Sequence, residues 1–530
     1  MEGFNRAITT AIDNLCRQLS LRQWEHSTAF PVRLEQPVVL PVSAVTSGSQ
    51  NLENMIIAQW LAQQPHYPKF YWHGRDETLE TACLGQAQHF TGQQAVQQLN
   101  SGRHYLDELR YYWLSGFDPD QTNAQHDTQP LLFLPQIELR AQSHPEQNQR
   151  QLTLSVILAG DSCDKSDKPA DPIDQQIEGL ISQLRQLRPL TPPATQQRRC
   201  TAVAERLDSP GFDQWQFSVD QAKHAFRTGL LQKVVLARQT QLYLCDEIIS
   251  GANVTTSALH NANKIGDNTG NEDASDSKAT TSQQFWGLFQ RWRECSVNSY
   301  QIAYQTSPER GFISLTPERL FARQGAHLKT EALAATLPRS GHRDRARHQA
   351  RELLNDSKSR HEHGLVAVEI GAKLEGLGVQ LSHGCGTSLL KQNGIQHLHQ
   401  VIEGQLPSAQ MDAQLFSTLH PTAAVGGLPT KPAQHFIEQH EPFLRGYYAG
   451  CCGYFEADHS ELAVTIRSAD VNGRKLTLYA GAGIVPQSEA AREWRELDQK
   501  IALPLSLLDQ RPEPASGLLP THQQSDAGVI

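Results

Sequence analysis

No stretch of this 530-residue chain approaches the ~18 consecutive apolar residues that a membrane-spanning helix needs, so no membrane span is expected. Cations are not in excess either: 47 Lys and Arg stand against 56 Asp and Glu, for a net charge of −9. Nucleic-acid binders usually carry a basic face or stripe, and that class is set aside. A small anionic substrate stays open, because a local cluster of Arg and Lys can sit on an acidic protein. The nine cysteines form no C-x-x-C pair and keep no regular spacing, even with Cys451 and Cys452 adjacent. Neither a disulfide framework nor a zinc or redox motif is expected, and the thiols read as reduced ones in a cytoplasmic protein. The first residues carry Glu2 and Asp13 and lack an apolar core followed by a small-residue cleavage site, so no signal peptide is expected. A G-x-G-x-x-G dinucleotide fingerprint and internal repeats are also absent.

What is present is a chain with 38% hydrophobic residues, enough for a sizeable core. Phe4, Ile8, Ile12, Leu15 and Leu19 recur at helical spacing, which predicts an amphipathic helix over residues 1–20. Strand-like runs follow at 38–45, 70–72, 131–134 and 152–158, then a polar loop to residue 172 and a helix over about 174–187. Residues 251–282 are rich in Asn, Asp, Ser, Thr and Gly and read as a disordered insertion, as does the polar tail 509–530. From 212 to 508 apolar strands (233–237, 312–315, 463–466, 476–480) alternate with helices but keep no regular βαβ beat. The expected class is α+β, with large mixed or antiparallel sheets flanked by helices.

Several constellations carry possible chemistry. Glu493, Glu496 and Lys500 lie three and four apart on a predicted helix, so they share a face. Two carboxylates there form a half-site for a hard cation such as Mg²⁺; the plain alternative is an exposed salt bridge. A second acidic helix, 358–374, carries His361-Glu362-His363 and Glu369 beside Leu365, Val366, Val368 and Ile370. Its two histidines point in different directions, which argues against zinc. Gly481 and Gly483 read as a turn after a strand, where backbone N–H groups can approach a small anion. Arg467, placed on the preceding strand, suits a planar carboxylate. Lys233 opens the apolar run Val234–Ala237: at the strand end it faces water, whereas a buried amine near cations can act as a base. Glu318 is either half of a surface pair with Arg319 or, if kept protonated, an acid.

Taken together, the motifs Lys233-Val-Val-Leu-Ala-Arg238, Leu315-Thr-Pro-Glu-Arg-Leu-Phe321, Thr330-Glu-Ala-Leu-Ala-Ala-Thr336, Arg360-His-Glu-His363, Gln396-His-Leu398, Leu419-His-Pro-Thr-Ala-Ala-Val-Gly-Gly427, Arg445-Gly-Tyr-Tyr-Ala-Gly450, Thr465-Ile-Arg-Ser468 and Tyr479-Ala-Gly-Ala-Gly-Ile-Val485 through Lys500 carry a resemblance. They resemble the chorismate-utilising enzymes over about residues 212–505. Residues 1–211 look like the family's variable N-terminal part, and 212–508 like its chorismate-binding catalytic domain. Lys233 matches the general-base lysine of the water-using members. The segment Ala332–Thr336 lacks the nucleophilic lysine of aminodeoxychorismate synthases, so water is the implied nucleophile.

The resemblance implies an isochorismate synthase of the menaquinone type. On that resemblance Mg²⁺ would be held by Glu362 and Glu496, with Glu493 nearby through water. Lys233 activates the water that attacks C2 of chorismate, and Glu318 protonates the departing C4 hydroxyl. Thr336, His397, Tyr448, Arg467, Lys500 and the N–H groups of Gly481 and Gly483 match substrate-contacting positions. Where the family often has Ala-Gly-Thr this chain has Ala334-Ala335-Thr336, which narrows the wall beside the ring. Three rivals stay open: a salicylate synthase, an ammonia-using synthase component, and a non-catalytic chorismate binder.

Overall fold

The computed structural model describes residues 1–21, 31–40, 50–76, 79–102, 109–118, 128–144, 149–159, 173–192, 200–247, 273–382 and 386–508. The amphipathic N-terminal segment forms the helix Glu2–Leu21, which buries Phe4, Ile8, Leu15 and Leu19. The expected strand at 38–45 is shifted: the strand is Val32–Pro37, Val38–Leu40 follow it, and 41–45 lie outside the described residues. The helix expected near 174–187 is Ile173–Arg185. Residues 273–282 correct the reading of a disordered insertion. They open the helix Asp273–Glu294, whose C-terminal half buries Phe285, Trp286, Phe289 and Trp292. That apolar anchor lets a polar run propagate as helix, which composition alone does not register. Residues 251–272, the loop to residue 172 and the tail 509–530 lie outside the described residues.

Among the described residues, twenty strands join one sheet whose neighbours all run antiparallel. The class is α+β, and the sheet is antiparallel rather than mixed. It branches at the strand Leu131–His144 into two arms. One arm runs through Leu79–Thr91, Lys69–His73, Tyr300–Ser307, Arg310–Thr316, Ser468–Asn472 and Lys475–Ile484 to Lys233–Glu247. The other runs through Tyr111–Ser115, Cys451–Phe455, His459–Val464, Arg319–Gln324 and His327–Pro338 to Ile395–Gln405. Between them lies a core of rings, with Phe70 4.9 Å from Tyr112 and Trp72 6.1 Å from Tyr454. Helices cover the outer faces and share a second, larger core.

Two short crossings from one arm to the other, through Pro317-Glu318 and through Thr465–Arg467, lie side by side. The crossings are tied together: Val464 N–H donates to the Glu318 carbonyl at 3.0 Å and Leu315 N–H to the Arg467 carbonyl at 3.0 Å. Residues that leave a ladder at such corners are free to point into the space between neighbouring elements.

Candidate active site

One cavity lies at these crossings, and residues far apart in sequence converge on it. Glu318, Thr336, Glu362, His397, Tyr448, Arg467, Gly481, Gly483, Glu496 and Lys500 all border it. Lys233 reaches it from behind: its Nζ is 3.3 Å from Glu362 Oε1, and its side chain is fully buried. The strand-end lysine facing water is therefore not what the structure shows. Lys233 is the first residue of its strand, yet the pairing of Leu428 and Gly427 against that strand covers it.

Glu362 projects inward because the helix Ser357–Gly376 buries the stripe Ser359, Glu362, Val366, Ile370 and Leu374, spaced three and four apart. Asp356 caps this helix, accepting from Ser359 N–H at 2.8 Å. Val368, read as part of the apolar group, points outward at 73% exposure. Glu369, largely covered, pairs with Lys373 at 2.5 Å along the same helix. His363 is buried and near the Ala332 carbonyl, while His361 is exposed, and the described residues hold no group of three His, Cys, Asp or Glu placed to ligate a metal.

The segment Ala480–Gly483 is not a turn. The strand runs on through Lys475–Ile484, paired throughout with the Lys233 strand. Its glycines make room instead. A Cβ on Gly483 would overlap the Glu362 carboxylate and stand 3.2 Å from Lys233 Cε, and one on Gly481 would sit 2.5 Å from the Tyr448 hydroxyl. Small residues here let a carboxylate, an amine and a phenol approach a backbone that a side chain would block.

The helix Ala490–Ser506 supplies Glu496 and Lys500, which pair at 2.7 Å. Lys500 also donates to the Gly481 carbonyl at 2.7 Å. Burial pushes the Glu496 carboxyl up, but Lys500, with Lys358 and Arg467 beyond it, outweighs burial and holds it below its ordinary value. Glu493 does not border the cavity. It is buried and accepts from Lys358 at 2.5 Å, while burial pushes its carboxyl up. The cavity continues past Ala335, Thr336, Glu362 and Glu496 into a vestibule of about 260 Å³ that also meets Lys358, Arg492 and Arg495.

Opposite this helix, Glu318 is 4% exposed and its carboxyl is pushed up to about 7, mainly by burial. Thr422 donates to its Oε1 at 3.3 Å. The surface pair with Arg319 does not form, since Arg319 bonds Glu331, Glu461 and Asp76 instead. Arg467 sits in the crossing rather than on a strand, with a left-handed φ of 50°. Burial lowers its guanidinium to about 10, and Nε and Nη1 have no hydrogen-bond partner among the described residues. A buried guanidinium with free donors calls for an anion. His397 Nε2 lies 3.3 Å from Gln392 Oε1 and 3.5 Å from Arg467 Nη2, and its Nδ1 lies 3.0 Å from Thr336 Oγ1. Burial, with Arg467 beside it, holds His397 well below its ordinary value and therefore neutral. Tyr448 stacks on Tyr479 with centroids 5.2 Å apart.

Sequence reasoning missed Thr422, Arg492 and Arg495. Thr422 lay within a quoted motif, but only the fold brings it to Glu318. The vestibule cations Arg492 and Arg495 flank Glu493 and Glu496, and charge of opposite sign at helical spacing was the available signal. Ala335 carries a left-handed φ of 61° at a bulge in the strand His327–Pro338. That geometry favours glycine at this position.

Comparison with known proteins agrees with this architecture. The family model described as chorismate binding enzyme matches residues 39–264 and 273–509. The isochorismate synthase MenF of Escherichia coli is 29% identical over 497 residues, 94% of this chain and 98% of that protein. The MenF of Haemophilus influenzae is 30% identical over 86% of this chain and 90% of that protein. The solved structure of the menaquinone-specific isochorismate synthase from E. coli superposes with a TM-score of 0.74 at 28% identity, covering 95% of this chain and all of that one. With both halves of its sequence inside the family model and the whole fold shared, the chain belongs to the family of chorismate binding enzymes.

Proposed function

We propose that this chain is an isochorismate synthase, converting chorismate to isochorismate by attack of water at C2 and loss of the C4 hydroxyl. The observation that carries the reading is a buried carboxyl, Glu318, pushed up to about 7 on one wall of the cavity, with a buried amine, Lys233, set 3.3 Å behind the Glu362 of another. Lys233 takes the proton from water and Glu318 gives one to the departing hydroxyl, so the proton count is unchanged. Arg467, Lys500, Tyr448 and the Gly481 and Gly483 backbone are the groups that receive the substrate's carboxylates, while Thr336 and neutral His397 line the ring's side. The cavity wall Leu333–Thr336 offers no amine, which favours water over an enzyme nucleophile.

The donor set on the helix side fits Mg²⁺: Glu362 and Glu496 are two carboxylates on one wall, and a hard cation takes its remaining oxygens from water and substrate. Glu493, turned to Lys358, belongs outside that pair unless a water joins it. When bound, the ion supplies positive charge for the ring carboxylate. Free thiols at Cys16, Cys83, Cys295, Cys451 and Cys452 support a cytoplasmic setting, and no described helix is long and apolar enough to cross a membrane.

Purified protein incubated with chorismate and Mg²⁺ is expected to release isochorismate. Formation of salicylate and pyruvate would transfer the assignment to a salicylate synthase, and an aminated product with ammonium would transfer it to an aminating one. Binding without turnover would leave a chorismate binder.

A further inference from the structure

Behind Glu318 lies a buried charge cluster that the reaction as drawn does not use, and two members, Arg75 and Asp76, come from the N-terminal half. Arg75 follows the strand Lys69–His73, and its side chain is 8% exposed. Its Nη1 donates to the Pro317 carbonyl at 2.6 Å, one residue before Glu318, and to Glu331 Oε2 at 2.8 Å. Its Nη2 donates to Glu331 Oε1, completing a fork on that carboxylate. Arg319, one residue after Glu318, donates to Glu331 at 2.8 Å, to Asp76 at 2.6 Å and to Glu461 at 3.0 Å. His399 Nε2 is 3.1 Å from the same Glu331. Both residues flanking Glu318 are thus pinned to the cluster, while the carboxyl itself points the other way, into the cavity.

We propose that Arg75 is a positioning residue for Glu318, fixing the Pro317 carbonyl and the Glu331 anion so that the acid is presented at one place with one charge behind it. The inference rests on the isochorismate-synthase reading. Burial pushes Glu331 up, yet His399, Arg75 and Arg319 hold it well below the usual carboxylate range, so it is a permanent anion. Its charge works to keep the Glu318 proton on. The other groups facing Glu318 are Lys233 and Lys500, which work the opposite way, and Arg467 and Tyr448 across the cavity. Arg75 touches none of the groups that hold substrate carboxylates, so its loss should be felt in the chemical step and not in binding.

The test compares wild type with Arg75→Gln, Arg75→Lys and Glu331→Gln, each checked for wild-type thermal melting, using chorismate and Mg²⁺ across pH. Arg75→Gln is expected to lower kcat by about tenfold to a hundredfold, the scale of a misplaced catalytic group, with KM for chorismate within about twofold. Arg75→Lys, which keeps the charge but not the fork, should recover part of kcat. The alkaline limb of the kcat profile reports the acid. It should move up in Arg75→Gln, where the Glu331 charge is less compensated, and down in Glu331→Gln, where that charge is gone. A merely structural role would not move the limb in opposite directions. Unchanged kcat, a loss carried by KM, or limbs that move together would overturn the inference. If Arg75→Gln does not fold, Arg75→Lys decides by the same split of kcat from KM. Wild type without isochorismate production would sink the functional reading, and the inference with it; wild type active with variants of the wrong pattern sinks the inference alone.

Discussion

Glu318 illustrates what a working site costs a fold. Its carboxyl stands near 7 in the folded chain against an ordinary value of 4.5, chiefly because it is buried. The folded state therefore binds the extra proton between those values, and stability falls as pH rises from about 4.5 through about 7, then levels off. Glu318→Gln removes the titration while keeping the shape and the Thr422 contact. At pH 8 it should abolish turnover yet raise stability by something on the order of 2–3 kcal/mol, an advantage that fades below pH 5. Denaturant unfolding of both proteins at pH 5 and pH 8 checks this, and an equal stability difference at both pH values would contradict it. Ala335 is a second residue held against its preference, with a left-handed φ of 61°. The left-handed penalty of ~1–2 kcal/mol exceeds the ~0.5–1 kcal/mol that glycine loses through unfolded-state freedom. Ala335→Gly should then stabilise the chain by roughly 0.5–1 kcal/mol and raise the melting temperature by a degree or two. A lower melting temperature would show that the Ala335 methyl supplies packing that outweighs its strain.

Among the elements, the helix Ala490–Ser506 does two jobs with one face. Glu496 and Lys500 reach the cavity, and Arg492 and Arg495 meet the vestibule one turn earlier. Both arginines are exposed, so they attract a dianion without the desolvation that would make them strong binders. Changing both to alanine is expected to lower kcat/KM several-fold at low ionic strength and to leave kcat near wild type. The gap should close as salt shortens the Debye length from about 10 Å at 0.1 M to about 3 Å at 1 M. Steady-state kinetics over that range would decide it, since a salt-independent loss means direct contact with substrate. This helix also shows how far the sequence could be read. The three-and-four spacing of Glu493, Glu496 and Lys500 is legible because helix periodicity is local. That Glu493 turns to Lys358 depends on a helix 135 residues earlier, and no spacing encodes it. The Gly481 and Gly483 segment was misread as a turn for a related reason. Local composition favours turns, but the long ladder with the Lys233 strand and the room needed by Glu362 keep it extended.

At the scale of the whole molecule, the motifs cluster after residue 212, yet the sheet does not divide there. The strand Tyr300–Ser307 is paired on one side by Lys69–His73, and Cys451–Phe455 by Tyr111–Ser115. The ring core between the arms draws Phe70, Trp72, Tyr112 and Phe133 from the first half and Tyr300, Tyr304 and Tyr454 from the second. Removing residues 1–211 would strip both strands of their partners, and Lys233–Glu247 of Cys200–Ser209, leaving three edges that template association. It would also uncover those second-half rings, and aromatic side chains of this kind dominate core energetics. The charge cluster would lose Arg75 and Asp76, leaving Arg319 and Glu331 partly unpaired beside Glu318. A chain comprising only 212–508 should therefore aggregate or remain expanded, even though it carries every residue assigned to chemistry. Size-exclusion chromatography with near-ultraviolet circular dichroism is the check. A monomeric 212–508 fragment with native aromatic signal and chorismate binding would mean that the first half is an appendage and that the site assembles without it.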